Sequence, residues 1–127
     1  VNLNEVTDHI IGAAIEVHRT LGPGLLEGAY EECLAYEMAR RQLPFERQKP
    51  VPLTYKEVNL DVGFRADFVV AGQVVVELKA IEAVQPIHKA QVLTYLKLMG
   101  LPVALLINFN TKILAKGITR LVLNLEE

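Results

Sequence analysis

Cysteine is almost missing from this chain of 127 residues. A single thiol, Cys33, rules out an internal disulfide and any zinc site built on several thiolates, and a reducing, cytoplasmic setting fits it best. Long apolar runs are missing too. The longest, "VVAGQVVV" and "GLPVALLI", fall well short of the roughly 20 residues that a membrane-spanning helix needs. A soluble protein with no membrane partner is therefore expected. Nor is there an excess of charge of one sign: 13 Lys and Arg against 15 Asp and Glu leave a formal net charge of -2. With no global positive field, any phosphate binding has to be local. Repeats, low-complexity tracts and Gly-, Ser- or Pro-rich linkers are absent, as are a Gly-rich phosphate loop, a Ser-His-Asp arrangement and zinc-finger spacing. What remains is 51% hydrophobic, enough for one real core, and a single domain over residues 1–127 is expected.

Periodicity orders that domain. In "NEVTDHIIGAAIEVHRTLG" the residues Val6, Ile10, Ala13, Ala14, Val17 and Leu21 recur at helical spacing until Gly22 and Pro23 stop them. A second helix follows in "LLEGAYEECLAYEMARRQL", with Leu26, Tyr30, Leu34 and Met38 as its apolar stripe. From Phe45 the pattern becomes extended. "FERQKPVPLTY", "VNLDV", "FRADFVV" and "QVVVELKA" are rich in β-branched residues and read as an antiparallel meander. Pro86 opens a third helix, "PIHKAQVLTYLKLM", ended by Gly100 and Pro102. "VALLINF" reads as a strand buried on both faces, and "KILAKGITRLVLNL" as one or two edge segments. This order gives an α/β or α+β sandwich, a mixed sheet flanked by helices.

One hairpin, "FRADFVVAGQVVVELKA", keeps Arg65, Asp67, Glu77 and Lys79 among its Val and Phe. Strand parity puts Phe64, Ala66, Phe68 and Val70 on one side and Arg65, Asp67 and Val69 on the other. In the second strand Val74, Val76, Leu78 and Ala80 oppose Val75, Glu77 and Lys79. Both apolar sets face one core only if 67 lies opposite 77 and 68 opposite 76, which requires a three-residue connection centred on Gly72 or an equivalent bulge; a one-residue slip turns the charges inward. Directly opposed residues lie about 5 Å apart, so Asp67 and Glu77 bring two carboxylates together. Hard oxygen ligands of this kind suit Mg²⁺ or Mn²⁺, and the carbonyl of Leu78 offers a further oxygen. Lys79, one pleat beyond Glu77, would orient or help deprotonate a water and stabilise charge on a phosphate under attack. This is the residue set of a phosphodiester hydrolase. A charged face that simply meets solvent is the competing reading of the same residues.

Further segments bear on that choice. "GPGLLEGAYEECLAYEM" carries Gly24-x-x-Glu27-x-x-Tyr30, and "PVPLTYKEVNLDVGFRADFVV", "VVVELKAIEAVQPIHKAQVLTYLK" and "LLINFN" follow in order. The chain thus resembles the GxxExxY protein family, a branch of the PD-(D/E)XK nuclease superfamily, from about Ile11 to Leu121. The resemblance implies a restriction-endonuclease-like core with an acidic site at an opened hairpin. Asp67 and Glu77 would be metal ligands, Lys79 the catalytic lysine, Glu27 an additional acidic residue at the same metal, and Gln91 a polar residue at the rim. It departs at Ala66, which replaces the Pro of the superfamily's name, and at "NFN", where relatives tend to show Asn-Phe-Gly. Gly117 also departs, standing where a second basic residue after Lys116 is expected.

Read from the residues alone, these additions keep two meanings. Glu27 falls in the first turn of a helix, where the dipole favours a carboxylate whatever its function. Tyr30 belongs to a core stripe, its hydroxyl finding a partner at the edge. Gln91 shares a spacing with Ile87, Tyr95 and Leu98; pointing toward the sheet, its amide would hold Lys79 or a site water, or serve a structural bond. His9, His18 and His88 lack metal-ligand spacing, Cys33 reads as a small core residue, and Arg40, Arg41, Arg47 and Lys49 read as a basic rim or as solvated side chains. The leading expectation is a Mg²⁺- or Mn²⁺-dependent nuclease acting on DNA or RNA, with a homodimer as one way for a small chain to grip its substrate. The alternatives are a catalytically silent nucleic-acid-binding or protein-interaction module on the same fold, and a purely structural domain.

Overall fold

The computed structural model describes residues 2–123. Helix α1 (Leu3–Leu21) starts where Asn2 and Glu5 cap each other: the Asn2 side chain accepts from the Glu5 amide at 2.9 Å, and Glu5 accepts from the Asn2 amide at 3.3 Å. Such a reciprocal pair satisfies two orphan donors of the first turn. Val6, Ile10, Ala13, Ala14 and Val17 are buried as expected, whereas Leu21 stays partly exposed because the chain already turns away at Gly22, whose φ is 73°. Helix α2 (Glu27–Arg40) buries Tyr30, Leu34 and Met38 completely. Leu26 does not join that stripe. It is the extended residue before the helix and is 84% exposed.

The main sheet has the order β1-β4-β5-β6-β7, built from β1 (Phe45–Pro50), β4 (Arg65–Val70), β5 (Val74–Lys79), β6 (Val103–Asn108) and β7 (Ile118–Val122). Strands β5 and β6 run parallel and every other neighbouring pair antiparallel. Helix α3 (Pro86–Met99) makes the crossover that a parallel pair requires. The expected meander is broken. Strands β2 (Leu53–Tyr55) and β3 (Val58–Leu60) form a separate two-stranded ribbon, and β1 pairs directly with β4. Pro50 and Pro52 supply the reason, since neither has an N–H with which to carry the ladder forward. Strand β6 is buried along its whole length. The segment after it gives a 3₁₀ turn (Leu114–Gly117) and the single edge strand β7, while Asn124 and Leu125 lie outside the described residues.

Two cores result. Helices α1 and α2 cover Phe68, Val70, Val74, Val76 and Leu78, and α3 covers Val69, Val75, Ala104 and Leu106. The β4–β5 register is the expected one, with Phe68 opposite Val76 and Val70 opposite Val74, joined by Ala71–Gln73 with Ala71 and Gly72 both at positive φ. The ladder stops at Phe68–Val76. Beyond it, strict parity fails: Ala66 packs in the α3 core with Val51 and Val69 instead of beside Phe68 and Val70. Arg65 and Ala66 stay paired with Pro50 and Lys49 of β1, but past Phe68 the Asp67 and Glu77 carboxylates replace the β5 ladder, and there the alternation breaks.

Candidate active site

At the point where the β4–β5 ladder ends, side chains take over its hydrogen bonds. The Asp67 amide donates to Glu77 Oε2 at 2.7 Å, and the Leu78 amide donates to Asp67 Oδ2 at 2.8 Å. The two strands are therefore held apart by carboxylates placed between them. Asp67 is 9% exposed and Glu77 8%, both far more buried than an acidic residue usually is. In a strand, a residue's N–H and C=O point to the same edge, so the Leu78 carbonyl faces this same gap.

Burial and mutual repulsion govern the charges. Burial pushes the Glu77 carboxyl up to about 8, and the Asp67 charge adds to that rise; the bond from the Asp67 amide and the nearby Lys79 ammonium oppose it without cancelling it. Asp67 is raised chiefly by burial, with Glu31 repelling it and the Leu78 amide, Gln48 and Lys79 holding it down. Glu27, at the first residue of α2, is exposed, yet the surrounding protein and the Asp67 charge still raise its pKa, again against Lys79. One ammonium thus faces three carboxyls. The donor set is oxygen-only and short of positive charge, which fits a hard divalent cation. Among the described residues, however, no three of His, Cys, Asp and Glu are grouped closely enough to hold a metal ion by themselves.

Loop chemistry places Glu27 and Lys79 at the gap. The Tyr30 hydroxyl donates to the Gly22 carbonyl at 2.6 Å and accepts from the Leu25 amide at 3.1 Å, fastening the loop in which Gly24 takes a φ of 103°. The spacing Gly24-x-x-Glu27-x-x-Tyr30 thereby acquires a physical meaning: a left-handed turn, the helix start it delivers, and the bolt that holds both. The Tyr30 ring stacks on Phe109 at 4.5 Å. In turn, the Phe109 amide donates to the Lys79 carbonyl at 2.9 Å, and the Asn108 side chain bonds both the amide and the carbonyl of Ile81. "NFN" therefore clamps the strand end that carries Lys79. Gly117 is explained by the same packing, because a Cβ there would lie 2.2 Å from the Asn108 carbonyl oxygen.

The remaining candidates stand further out. Gln91 is exposed and does not point toward the sheet; its Nε2 donates to the Tyr95 hydroxyl at 3.2 Å, and Ile87, expected to share its face, is also exposed. The link to the site runs through Tyr95, whose pKa is raised by burial and by the Glu77 charge. His18 is buried with its Nε2 against the Thr111 carbonyl, and His88 accepts from the Gln85 amide, so both serve structure. Of the basic rim, Arg40, Arg47 and Lys49 pair with Glu37, with Glu31 and Glu32, and with Glu46 respectively.

Two residues of the site are not among the sequence candidates. Glu31 follows Glu27 by four positions, one helical turn on the same face, and that spacing is its signal. Gln48 gives none. It sits in β1 at a φ of 50°, and its Nε2 lies within 3.2 Å of Asp67 Oδ1 and of both Glu31 carboxylate oxygens. A family model described as the PD-(D/E)XK nuclease superfamily matches residues 4–121. No curated protein and no solved structure matches the chain.

Proposed function

The chain belongs to the PD-(D/E)XK nuclease superfamily, and from that membership we propose that it is a Mg²⁺- or Mn²⁺-dependent nuclease of the GxxExxY kind, working at the opened end of the β4–β5 hairpin. Its mixed five-stranded sheet with helices on both faces is consistent with the restriction-endonuclease-like fold. The observation that carries the reading is the pair of buried acids, Asp67 and Glu77, wedged between two strands with Lys79 one pleat away and a carboxyl driven up to about 8.

In this reading Asp67, Glu77 and the Leu78 carbonyl would hold the cation, with Glu27 reaching in from α2. A bound divalent cation supplies the positive charge that keeps these acids ionised and that stabilises negative charge growing on a phosphate. The chain does the rest. Lys79 orients the attacking water and offers its ammonium to a non-bridging phosphate oxygen. The Phe109 amide bonds the Lys79 carbonyl and Asn108 bonds Ile81, so the strand end from which the Lys79 side chain projects is fixed before substrate arrives. Gln91 acts from the rim through the Tyr95 hydroxyl.

The test is incubation of the purified protein with single-stranded, double-stranded and branched DNA and RNA. Cleavage is expected with Mg²⁺ or Mn²⁺, is abolished by a chelator, and falls by at least about 100-fold in Lys79→Ala. A second reading, the catalytically silent binding module, draws on one observation: each acid already spends an oxygen on a backbone amide. Binding of nucleic acid with steep salt dependence, and no cleavage of any form by the wild type, selects that second reading.

A further inference from the structure

A cleft of about 290 Å³ opens beside the candidate active site, between the first turn of α3 and the 3₁₀ turn that leads into β7. We propose that it is a second phosphate site, which holds a backbone phosphate of the nucleic acid next to the one attacked; this rests on the nuclease reading above and deepens it.

Three observations converge on the cleft. Lys89 from α3 and Lys116 from the 3₁₀ turn line it, and neither has an acidic partner among the described residues, whereas Arg40, Arg47 and Lys49 are all paired. Thr111 lines it as well, and its hydroxyl is, among the described residues, the one buried side-chain polar atom with no hydrogen-bond partner. Buried polar groups in native proteins are almost always satisfied, so an orphaned hydroxyl in the wall of a cleft that two lysines also line marks a place for an acceptor. The walls, finally, are rigid. Gly117 packs so closely that a Cβ would collide with the Asn108 carbonyl and crowd the Thr111 side chain, and the Thr111 carbonyl is bonded to His18.

Position argues for a nucleic-acid phosphate over a free anion. Asn108 forms one wall, and it is the residue registered opposite Lys79 across the β5–β6 ladder. Neighbouring strands lie roughly 4.8 Å apart, so the cleft begins one strand away from the proposed catalytic lysine. Glu77 and Lys79 also share strand parity with Val75, which faces α3, as the cleft does. A strand whose scissile phosphate lay at Lys79 would pass this cleft with its next phosphates. Local pairing of this kind is what a chain with net charge -2 requires. One group opposes it: Glu82 stands exposed on the same rim.

The experiment is fluorescence anisotropy of a short fluorescein-labelled oligonucleotide with the full chain in chelator, so that the result does not depend on turnover or on a metal. For the double variant Lys89→Met/Lys116→Met we expect roughly tenfold weaker binding and a slope of log affinity against log salt that is shallower by about 1 to 2, as loss of phosphate contacts demands. Glu82→Gln should tighten binding about threefold, and inorganic phosphate should compete against the wild type more strongly than against the double variant. Both lysines are exposed, and an unchanged melting temperature checks that the variant is folded. Unchanged affinity and salt slope in the double variant overturn the proposal, as does a wild type that binds no oligonucleotide at low salt. Competition by phosphate without any change in oligonucleotide binding assigns the cleft to a free anion and overturns it too. A wild type that binds as described but cleaves nothing refutes the nuclease reading and leaves the cleft standing.

Discussion

The β4–β5 hairpin is two structures in one. From Phe68–Val76 to the turn it is an ordinary antiparallel ladder whose side chains fill both cores. From Asp67–Glu77 outward the same two strands part, and carboxylates occupy the space where backbone bonds would run. The closed half is stabilised by the burial of its residues. The open half buries two acids whose ionisation opposes folding, and so it stores cost at the place where a cation or a phosphate brings compensation. A site of this kind is affordable only because the closed half and the clamp formed by Tyr30, Phe109 and Asn108 hold it open.

Breaking the closed half should have the largest effect. Phe68 is fully buried and meets the Phe45 ring edge-on at 5.5 Å; Phe68→Ala is expected to cost about 3–5 kcal/mol in a urea titration. The Arg47 guanidinium that lies over its ring, 5.8 Å from the centroid, stays charged at every working pH, so the pH dependence of what stability remains should be unchanged. A loss below about 1 kcal/mol would mean that the ladder does not carry the hairpin.

The open half should respond to pH instead. Burial pushes the Glu77 carboxyl up to about 8 in the folded protein against 4.5 for an ordinary glutamate, so between those values the native state binds more protons than the unfolded one. Stability of the metal-free protein therefore falls as pH rises from about 4.5 to about 8 and levels off above, by a few kcal/mol in all. Glu77→Gln should flatten that slope and be more stable than the wild type at pH 9 in chelator. Mn²⁺ at about a hundred times its Kd should add roughly 3 kcal/mol to the wild type and much less to this variant. Equal pH slopes for the two proteins would remove Glu77 as the source.

The same division explains what was legible in the sequence. Periodicity and the glycines and prolines at element ends set α1, α2, α3 and the buried strand β6, and hydrophobic parity fixed the three-residue turn at Gly72, because burying one face admits one register. Strand parity drew Asp67, Glu77 and Lys79 together and motif likeness added Glu27; in the structure Asp67, Lys79 and Glu27 all act on the Glu77 carboxyl. Legibility ended where the ladder did. Ala66 changes core where side chains replace the β5 ladder, the ribbon β2–β3 leaves the sheet after Pro50 and Pro52, and Gln91 meets solvent on its helix, bonded to Tyr95 one turn on. Gln48 is the extreme case, since a left-handed glutamine has no local sequence signature.

A smaller effect tests how the open half is positioned. Tyr30→Phe keeps the stack on Phe109 but removes the hydroxyl shared by the Gly22 carbonyl and the Leu25 amide. About 1–2 kcal/mol should be lost. Because that loop delivers Glu27, Mn²⁺ affinity measured by calorimetry should fall as well, which a purely core role for Tyr30 does not predict.

Gln48 should give the smallest net change and the sharpest distinction. Its φ of 50° is costly for any residue with a Cβ, by roughly 1 kcal/mol, while its amide is shared by Asp67 and Glu31 and helps to hold Asp67 ionised. Gln48→Gly removes both terms, so its stability should stay within about 1 kcal/mol of the wild type. Gln48→Ala removes the amide and keeps the backbone cost, and it should be less stable than the glycine variant by about 1 kcal/mol. Equal stabilities would show that β1 relaxes around this position, leaving the amide as the only reason for a glutamine there. A gap between the two would show that the backbone is held in a left-handed turn to bring one donor onto two carboxylates, strain retained where β1 runs beside the open half.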